Sequence, residues 1–209
     1  FSKFTLEEKT LTTLELLQEP LFAVDPNGSN RPLLWVENAK PVEWPVNQNQ
    51  LIDPYTVGIL LGDGSMNTKG TKTAPVVLTA HEDDWPTYEQ ECPYSLGSVQ
   101  RDARNPAVIS RTVLGIGSFV AIHGLNTHGK FKKVPDAYKY ASVGQRLSIL
   151  QGLMDTDGTC TLDGKSSFCS SSKELVEDVM WLCRSLGGES RWQDKGNDRA
   201  YQCSVRLNL

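Results

Sequence analysis

Two aspartates, Asp63 and Asp157, are the residues best placed to do chemistry in this chain of 209 residues. Each lies near the end of an apolar segment and is followed by glycine, in TVGILLGDG (residues 56–64) and LQGLMDTDG (residues 150–158). Both segments predict helices, so each carboxylate falls in a last helical turn, where the helix dipole disfavours negative charge. Helix stability alone therefore gives no reason for an acid at either position.

Each segment also carries two small residues four positions apart, Gly58 and Gly62 in the first and Gly152 and Thr156 in the second. Residues with this spacing share one face of a helix, and small side chains allow two backbones to approach closely. We expect the two helices to pack through these faces, which brings both carboxylates to one end of the interface. Such an acid pair needs a cation, and a paired Mg²⁺ site is the prediction.

Two other interpretations of these segments were weighed. A single segment ending in Asp-Gly is typical of a buried helix closed by a glycine, but two copies favour a shared role. A calcium loop beginning at Asp155 requires glycine at its sixth position and glutamate at its twelfth. Those positions hold Cys160 and Ser166, so a calcium loop is excluded.

The two segments match, position by position, the nine-residue motif of the LAGLIDADG homing endonucleases, and the chain resembles the endonuclease domains carried inside inteins. The resemblance implies an α+β fold of two pseudo-symmetric αββαββα repeats, with saddle-shaped antiparallel sheets over double-stranded DNA. It also implies a monomer that makes site-specific double-strand breaks with Mg²⁺. Asp63 and Asp157 would bind the metal, and the backbone carbonyls of Gly62 and Thr156 would assist.

A second feature of the resemblance lies between the two motifs. The segment KFKKVP (residues 130–135) resembles an intein block in which a lysine precedes x-[Ile/Val]-Pro. The match implies that Lys132 is the catalytic lysine, which orients or polarises the attacking water, and Lys133 is the neighbour that could be confused with it. Internal symmetry implies a second such lysine, for which Lys195 is the candidate.

Basic charge is concentrated in the middle of the chain, although the net charge is −4. Residues 101–146 contain 8 Lys and Arg against 2 Asp and Glu (8 − 2 = +6), which predicts phosphate contacts, with an ordinary solvated face as the alternative. Alternate residues of the predicted strands would face DNA. The candidates are Lys69, Lys72, Arg101, Arg104 and Arg111 in the first repeat, and Lys165, Arg191, Arg199 and Arg206 in the second.

The predicted organisation has three parts. Residues 1–50 form an intein-like N-terminal segment with a helix over residues 5–18, capped by Thr5 and Glu8, a hairpin around the turn DPNG (residues 25–28), and an extended arm. Residues 51–140 form the first repeat and residues 141–209 the second. In the second repeat, Ser171 and Glu174 are predicted to cap a long helix.

The sequence also excludes several classes of protein. No apolar run is long enough to span a bilayer and no secretory leader is evident, which predicts an intracellular protein without membrane contact. The chain begins Phe1-Ser2 and ends Asn208-Leu209, so it lacks the terminal residues that self-splicing requires and is not expected to splice. A cleavage-inactive DNA- or RNA-binding member of the same fold, such as a maturase or regulator, and an insertion without a nucleic-acid role are the rival functions.

Overall fold

The computed structural model describes residues 7–37, 39–66, 75–193 and 200–207 of the chain. The chain divides into two compact units, residues 1–38 and residues 39–209, and each is considered by itself. Both motif segments lie in the second unit. None of the helices in the described ranges is long and apolar enough to cross a membrane.

The first unit contains a short helix, α1 (Thr13–Leu16). The Thr12 hydroxyl accepts a hydrogen bond from the backbone N–H of Glu15, and the Glu15 carboxylate accepts one from the backbone N–H of Thr12. The predicted helix over residues 5–18 is therefore wrong in its extent, since residues 7–12 are not helical. The same T-x-x-E pattern recurs at Thr12, and that copy caps the helix, whereas Thr5 lies outside the described residues.

A two-stranded antiparallel hairpin follows, formed by β1 (Phe22–Val24) and β2 (Asn30–Pro32). Gly28 in the connecting turn has a φ of 81°, a left-handed conformation that glycine adopts without steric cost. A hairpin is therefore present around the predicted turn, with Asn30–Pro32 as its second strand.

The first repeat begins with helix α2 (Pro54–Asp63), whose N-terminus is capped by Asp53 through the backbone N–H of Thr56 at 2.9 Å. Pro54 is tolerated there because the first helical N–H groups have no intrahelical partner. The repeat continues through β3 (Gly64–Ser65), β4 (Val76–His81), α3 (Trp85–Glu91), β5 (Gln100–Arg101), β6 (Val108–Val113) and α4 (Gly117–Ile122). Its four strands are antiparallel neighbours in the order β3-β4-β6-β5.

A 3₁₀ turn (Gly129–Phe131) and a short helix, α5 (Asp136–Lys139), connect the repeats. The second repeat begins with α6 (Val143–Asp157), whose capping box joins Ser142 and Gln145. It continues through β7 (Gly158–Cys160), β8 (Ser166–Ser170), α7 (Lys173–Ser185), β9 (Trp192–Gln193) and β10 (Tyr201–Val205). The strand order is β7-β8-β10-β9, which repeats that of the first sheet.

The predicted α+β fold class is confirmed, with two four-stranded antiparallel sheets built in the same order. One predicted cap is wrong. Helix α7 is capped by Ser172, not Ser171, since the Ser172 hydroxyl accepts the backbone N–H of Leu175 at 3.2 Å. A shift of one residue turns the capping side chain from solvent into the protein, where Ser172 is fully buried.

The two sheets pack one face each against the helices. In β4, Val76, Leu78 and Ala80 are buried, and their cross-strand partners in β6 include the buried Ile109 and Val113. In the second sheet, Phe168 of β8 pairs with Cys203 of β10, and both are fully buried. This alternation leaves the opposite face of each sheet free of core packing.

Candidate functional site

Helices α2 and α6 cross at two facing glycines. A Cβ atom on Gly58 would lie 2.5 Å from the carbonyl oxygen of Ile149 and 2.9 Å from the Cα of Gly152. A Cβ atom on Gly152 would in turn strike the carbonyl oxygen of Tyr55. The two backbones are therefore in direct contact, and any side chain at either position would push the helices apart.

One turn further along, Gly62 faces Thr156. A Cβ atom on Gly62 would lie 2.5 Å from the Cβ of Thr156 and closer still to its hydroxyl, so glycine is required opposite threonine. The Thr156 hydroxyl donates to the carbonyl of Leu153 at 2.9 Å. The small-residue face predicted for each helix thus contributes to one interface, and the interface ends beside Asp63 and Asp157.

In both repeats the helix ends at the aspartate and a strand begins at the next residue, a glycine. Gly64 and Gly158 have φ values of −79° and −83°, in the extended region that any residue can adopt. A Cβ atom would instead collide with the helix it leaves, 2.7 Å from the Cα of Leu60 or 2.8 Å from that of Met154. Glycine is required in both copies because the strand turns back closely over the last helical turn.

The two acids at the end of this interface interact electrostatically. Burial raises the pKa of Asp63 to about 6; the negative charge of Asp157 and that of Asp84 act in the same direction, while Lys132 opposes them. Burial also raises the pKa of Asp157, again opposed by Lys132. Two partly buried carboxylates whose ionisation is disfavoured by burial, and for Asp63 also by the charge of Asp157, form a site that a cation would stabilise.

Lys132 lies beside this acid pair and is buried, with 8% of its surface exposed. Its ammonium group donates to the carbonyl oxygens of Gly62 at 2.9 Å, Gly64 at 3.0 Å and Leu60 at 3.4 Å. Gly62 lies in the last turn of α2 and Gly64 is the residue that follows it, while the Leu60 carbonyl also accepts the backbone N–H of Gly64. Burial lowers the pKa of Lys132, and the charges of Asp157 and Asp63 oppose that shift.

The Gly62 carbonyl, predicted to assist metal binding, accepts the shortest of the Lys132 hydrogen bonds. The predicted second lysine, Lys195, lies outside the described residues, as do Lys69, Lys72 and Arg199. The structure therefore describes one of the two predicted catalytic lysines. This residue, Lys132, hydrogen-bonds the backbone on either side of Asp63.

Two tyrosines of the first repeat hold the last turn of α6. The Tyr55 phenol donates to the carboxylate of Asp155 at 2.9 Å, and the Tyr88 phenol donates to the Asp155 carbonyl at 3.3 Å. The motif alignment places Leu61 and Ile149 at the positions equivalent to Asp155 and Tyr55, so this polar pair exists on one side of the pseudo-twofold axis. Neither tyrosine belongs to a motif that sequence comparison would have singled out.

Helix α7 holds the segment that carries Lys132. The buried Ser172 hydroxyl donates to the Lys132 carbonyl at 2.6 Å. The Asp178 carboxylate accepts from the backbone N–H of Val134 at 2.8 Å and from the ammonium of Lys139 at 2.9 Å. Sequence reasoning missed both α7 residues, because a serine and an aspartate in a helix carry no signal of a partner 40 residues earlier.

Arg146 of α6 was also missed as a buried residue, although it is fully inaccessible to solvent. Its guanidinium donates to the carbonyls of Ala141, Ser185 and Val42 and stacks over the Trp44 ring at 4.6 Å. From a charge count this arginine would be expected on a basic surface. In the structure it instead connects the extended segment that contains Val42 and Trp44 to helices α6 and α7.

The faces of the two sheets turned away from the helices include several serine, threonine and glutamine side chains. In the first sheet Thr79 pairs with Ser110, with their hydroxyls 2.8 Å apart. In the second, Gln202 lies on the same face as Ser167 and donates to its hydroxyl at 2.8 Å. Within the described strands, these two faces contain no lysine or arginine.

Two of the arginines predicted to bind DNA lie on the other side of the first sheet. Arg111 pairs with Leu78 on the helix-facing side, forms an ion pair with Glu89, and its guanidinium lies 5.3 Å from the centre of the Trp85 ring. Arg101 lies opposite Ile109 and forms an ion pair with Glu82 at 2.8 Å. Strand register turns both side chains away from the polar face.

The other described candidates lie at the margins of the sheets. Arg104 is exposed in the loop between β5 and β6, and Lys165 is exposed in the turn before β8, where it pairs with Asp163 at 2.6 Å. Arg191 lies opposite Ser204, and Arg206 follows β10; both are exposed.

The central basic segment does not form a continuous basic surface. Lys132 and Arg146 are buried, and four further residues form ion pairs with acidic side chains within the protein. Those four are Arg101, Arg111, Lys133 and Lys139. The charge excess of residues 101–146 therefore balances acids elsewhere in the fold.

Among the described residues, no group of three or more His, Cys, Asp or Glu side chains is arranged to hold a metal ion. Mg²⁺ does not need one, since it is commonly bound by one or two carboxylates with waters and phosphate oxygens completing its shell. The pair formed by Asp63 and Asp157 fits that pattern, and it does not fit an all-protein zinc or calcium site.

Comparison with known proteins finds similarity to a family model, to a protein sequence and to solved structures. Residues 144–207 match the family model of a LAGLIDADG-like domain. Over 152 residues, or 73% of the chain, the sequence is 30% identical to the replicative DNA helicase DnaB of Mycobacterium intracellulare, and the match covers 22% of that protein. The chain thus spans less than a quarter of the length of this relative.

Among solved structures, the homing endonuclease I-DmoI in complex with DNA and Mn is 14% identical, with a TM-score of 0.48, covering 74% of this chain and 89% of its own. Full-length DUF199/WhiA from Thermatoga maritima is 10% identical, with a TM-score of 0.48, covering 79% of this chain and 54% of its own. The family match lies in the second repeat, and the first repeat has the same αββαββ order, so both repeats have the α+β fold of a LAGLIDADG-like domain.

Proposed function

We propose that this protein is a monomeric, site-specific endonuclease that makes double-strand breaks in DNA by metal-dependent phosphodiester hydrolysis. The observation that carries the proposal is the placement of Asp63 and Asp157 at one end of the α2–α6 interface, with Lys132 buried beside them. A helix interface needs neither acid for its stability, since their ionisation in this position is disfavoured.

Asp63 and Asp157 would hold the divalent metal, proposed to be Mg²⁺. When bound, a divalent cation supplies Lewis-acid stabilisation of charge on the phosphate and lowers the pKa of a water. Burial, and after it the negative charge of Asp157, raises the pKa of Asp63. A bound cation would offset both effects, because it supplies the opposite charge that favours the ionised carboxylates.

Lys132 would contribute positive charge close to the scissile phosphate. Its three hydrogen bonds go to backbone carbonyls, so a water can gain an ammonium donor only by replacing one of them. The bond to Leu60, at 3.4 Å, is the longest and the weakest of the three. We propose that this donor is the one that turns toward the attacking water.

DNA recognition is proposed to occur on the polar faces of the two sheets. Serine, threonine and glutamine side chains can donate to and accept from base edges in the major groove. Phosphate contacts would come from the margins, through Arg104, Lys165, Arg191 and Arg206. Lys69, Lys72, Lys195 and Arg199, which lie outside the described residues, are proposed as further DNA contacts from the sequence alone. Arg101 and Arg111 are left out because both lie on the helix-facing side and are paired with acids.

We further propose that the chain is the endonuclease part of an intein. The match to 22% of a replicative DNA helicase is consistent with a segment inserted in such a host protein. The natural target would then be the helicase gene without the insertion.

A second candidate function is binding of nucleic acid without cleavage. The full use of the Lys132 ammonium by backbone carbonyls favours it, since these bonds alone explain a buried lysine at a helix end. In that case the acid pair would remain without a catalytic role.

The experiment that tests the proposal uses two duplexes, one spanning an uninterrupted replicative helicase gene and one from a randomised library. Each is incubated with the protein and Mg²⁺, with EDTA as the control, and new DNA ends are sequenced. Ends at a single site in the Mg²⁺ samples support the endonuclease. A mobility shift on the same DNA without new ends supports the binding function instead.

A further inference from the structure

The segment that carries Lys132 belongs to neither sheet, and helix α7 of the second repeat holds it in place. We propose that Ser172 and Asp178 of α7 are positioning residues, which fix the Lys132 ammonium against the end of α2 and so make cleavage depend on the second repeat. The inference rests on the proposed nuclease function, because Lys132 is given a catalytic part there.

Ser172 makes two hydrogen bonds with one hydroxyl group. It accepts from the backbone N–H of Leu175 at 3.2 Å, which caps α7, and donates to the Lys132 carbonyl at 2.6 Å. Since Ser172 is fully buried, no water can replace the donor if the hydroxyl is removed. The same hydroxyl group therefore caps α7 and anchors the segment that carries Lys132.

Asp178 holds the same segment two residues later. Its carboxylate accepts the Val134 N–H at 2.8 Å and the Lys139 ammonium at 2.9 Å, and the residue is 6% exposed. A buried carboxylate is tolerated only when it is paired and hydrogen-bonded, as here. The backbone on either side of Lys133 is thus fixed to one face of α7.

This arrangement sets the position of the ammonium group. A lysine side chain is long and flexible, so its end is located only if its backbone is fixed and its donors are engaged. The Lys132 carbonyl accepts the Ser172 hydroxyl at the start of α7, and the Lys132 ammonium donates to the Gly62 carbonyl at the end of α2. Lys133, one residue along, has a side chain that is 59% exposed and pairs with Glu174 on the surface.

The chain offers a matched control for the loss of a helix cap. Ser142 caps α6 through the backbone N–H of Gln145, as Ser172 caps α7, but its hydroxyl does not contact the Lys132 segment. Ser142→Ala removes a cap alone, whereas Ser172→Ala removes a cap and the anchor. Ser172→Thr keeps the hydroxyl for both hydrogen bonds, and Asp178→Ala removes the acceptor for the Val134 N–H and so tests the second anchor independently.

The experiment measures the kcat and KM of Mg²⁺-dependent cleavage on the DNA site identified for the unmodified protein. Ser172→Ala and Asp178→Ala should lower kcat by about 10-fold or more with KM changed by less than about 2-fold, because each removes an interaction that supports the transition state. Ser142→Ala should leave kcat within about 2-fold, and Ser172→Thr should restore most of the kcat that Ser172→Ala loses. Thermal unfolding confirms that each variant is folded at the assay temperature.

A second readout does not need cleavage. Acetylation by an N-hydroxysuccinimide ester, followed by mass spectrometry, compares Lys132 with the exposed Lys133 in the same protein. Lys132 should be protected in the unmodified protein and in Ser142→Ala, and it should become reactive in Ser172→Ala. If Lys132 stays protected in Ser172→Ala, or if kcat is unchanged in a protein that cleaves, the inference is overturned while the proposed function stands. Absence of cleavage by the unmodified protein overturns both.

Discussion

The ammonium group of Lys132 donates to the carbonyl oxygen of Gly62 at 2.9 Å, one residue before Asp63. The lysine therefore closes the end of α2 and at the same time offsets the negative charge of the acid pair. A single side chain stabilises both the end of α2 and the two carboxylates. A substitution of Lys132 is therefore expected to change folding stability as well as the candidate site.

Replacing Lys132 with methionine should cost both stability and activity. The half-buried carbonyls of Gly62 and Gly64 would lose their lysine donor, which destabilises the fold by about 1–3 kcal/mol, and cleavage should fall by about 10²–10³-fold as the positive charge is lost. Chemical denaturation and single-turnover cleavage measure the two effects. Lys133→Met is the control, since it breaks only an exposed ion pair with Glu174. An unchanged free energy of unfolding in Lys132→Met would show that the three carbonyl bonds do not stabilise α2.

The acid pair should make stability depend on pH. Burial and the charge of Asp157 raise the pKa of Asp63 to about 6 from its ordinary 3.8. The folded state then binds a proton that the unfolded state has released, so stability falls as pH rises from about 4 to about 6 and stays lower above that range. Asp157, whose pKa is also raised by burial, adds to the same slope.

Asp63→Asn removes the loss of folding stability that ionisation of Asp63 causes. Its melting temperature without metal should exceed that of the unmodified protein by about 2–4 °C near neutral pH, and the difference should vanish near about pH 4, where Asp63 is protonated. The exposed Asp83, with a side chain 85% exposed, gives the control Asp83→Asn, which should show no such gain. A melting temperature for Asp63→Asn at or below that of the unmodified protein near neutral pH would contradict the electrostatic account.

Alanine variants of the two glycines of α2 should differ in whether a second substitution can restore their stability. Gly58→Ala places a Cβ 2.5 Å from the backbone oxygen of Ile149, which cannot move aside, whereas Gly62→Ala meets the side chain of Thr156. Each should destabilise the fold by about 1–3 kcal/mol through overpacking. Adding Thr156→Gly should restore part of the stability lost by Gly62→Ala and none of that lost by Gly58→Ala. Equal rescue of both variants in denaturation experiments would contradict the described crossing.

Phosphate contacts at the sheet margins predict how salt affects DNA binding. Arg191→Ala or Arg206→Ala should each reduce the slope of log affinity against log salt by about 1. Arg101→Ala should leave the slope unchanged, because this arginine is on the helix-facing side and pairs with Glu82. Fluorescence anisotropy over a range of KCl concentrations measures the slopes, and a smaller slope in Arg101→Ala would mean that DNA contacts the opposite face.

Local patterns predicted much of the fold and the centre of the site. Two apolar segments with small residues four apart predicted α2, α6 and the face through which they pack, because helix periodicity follows directly from sequence. Strand register does not follow from local sequence, and a shift of one residue decides whether Arg111 lies on the polar face of the sheet or against Trp85. A charge count likewise cannot show that the partner of Lys139 is Asp178, since the two are brought together only by tertiary packing.

The most direct test of the nuclease function follows each DNA strand separately. A duplex spanning the uninterrupted helicase gene, labelled with a different dye on each strand, is incubated with Mg²⁺ and the unmodified protein, Asp63→Asn or Asp157→Asn. The account predicts that the unmodified protein cuts both strands at one site and that each aspartate variant binds the duplex but makes no double-strand break. Tight binding by the unmodified protein without any cut, or a double-strand break that persists in Asp157→Asn, would contradict it.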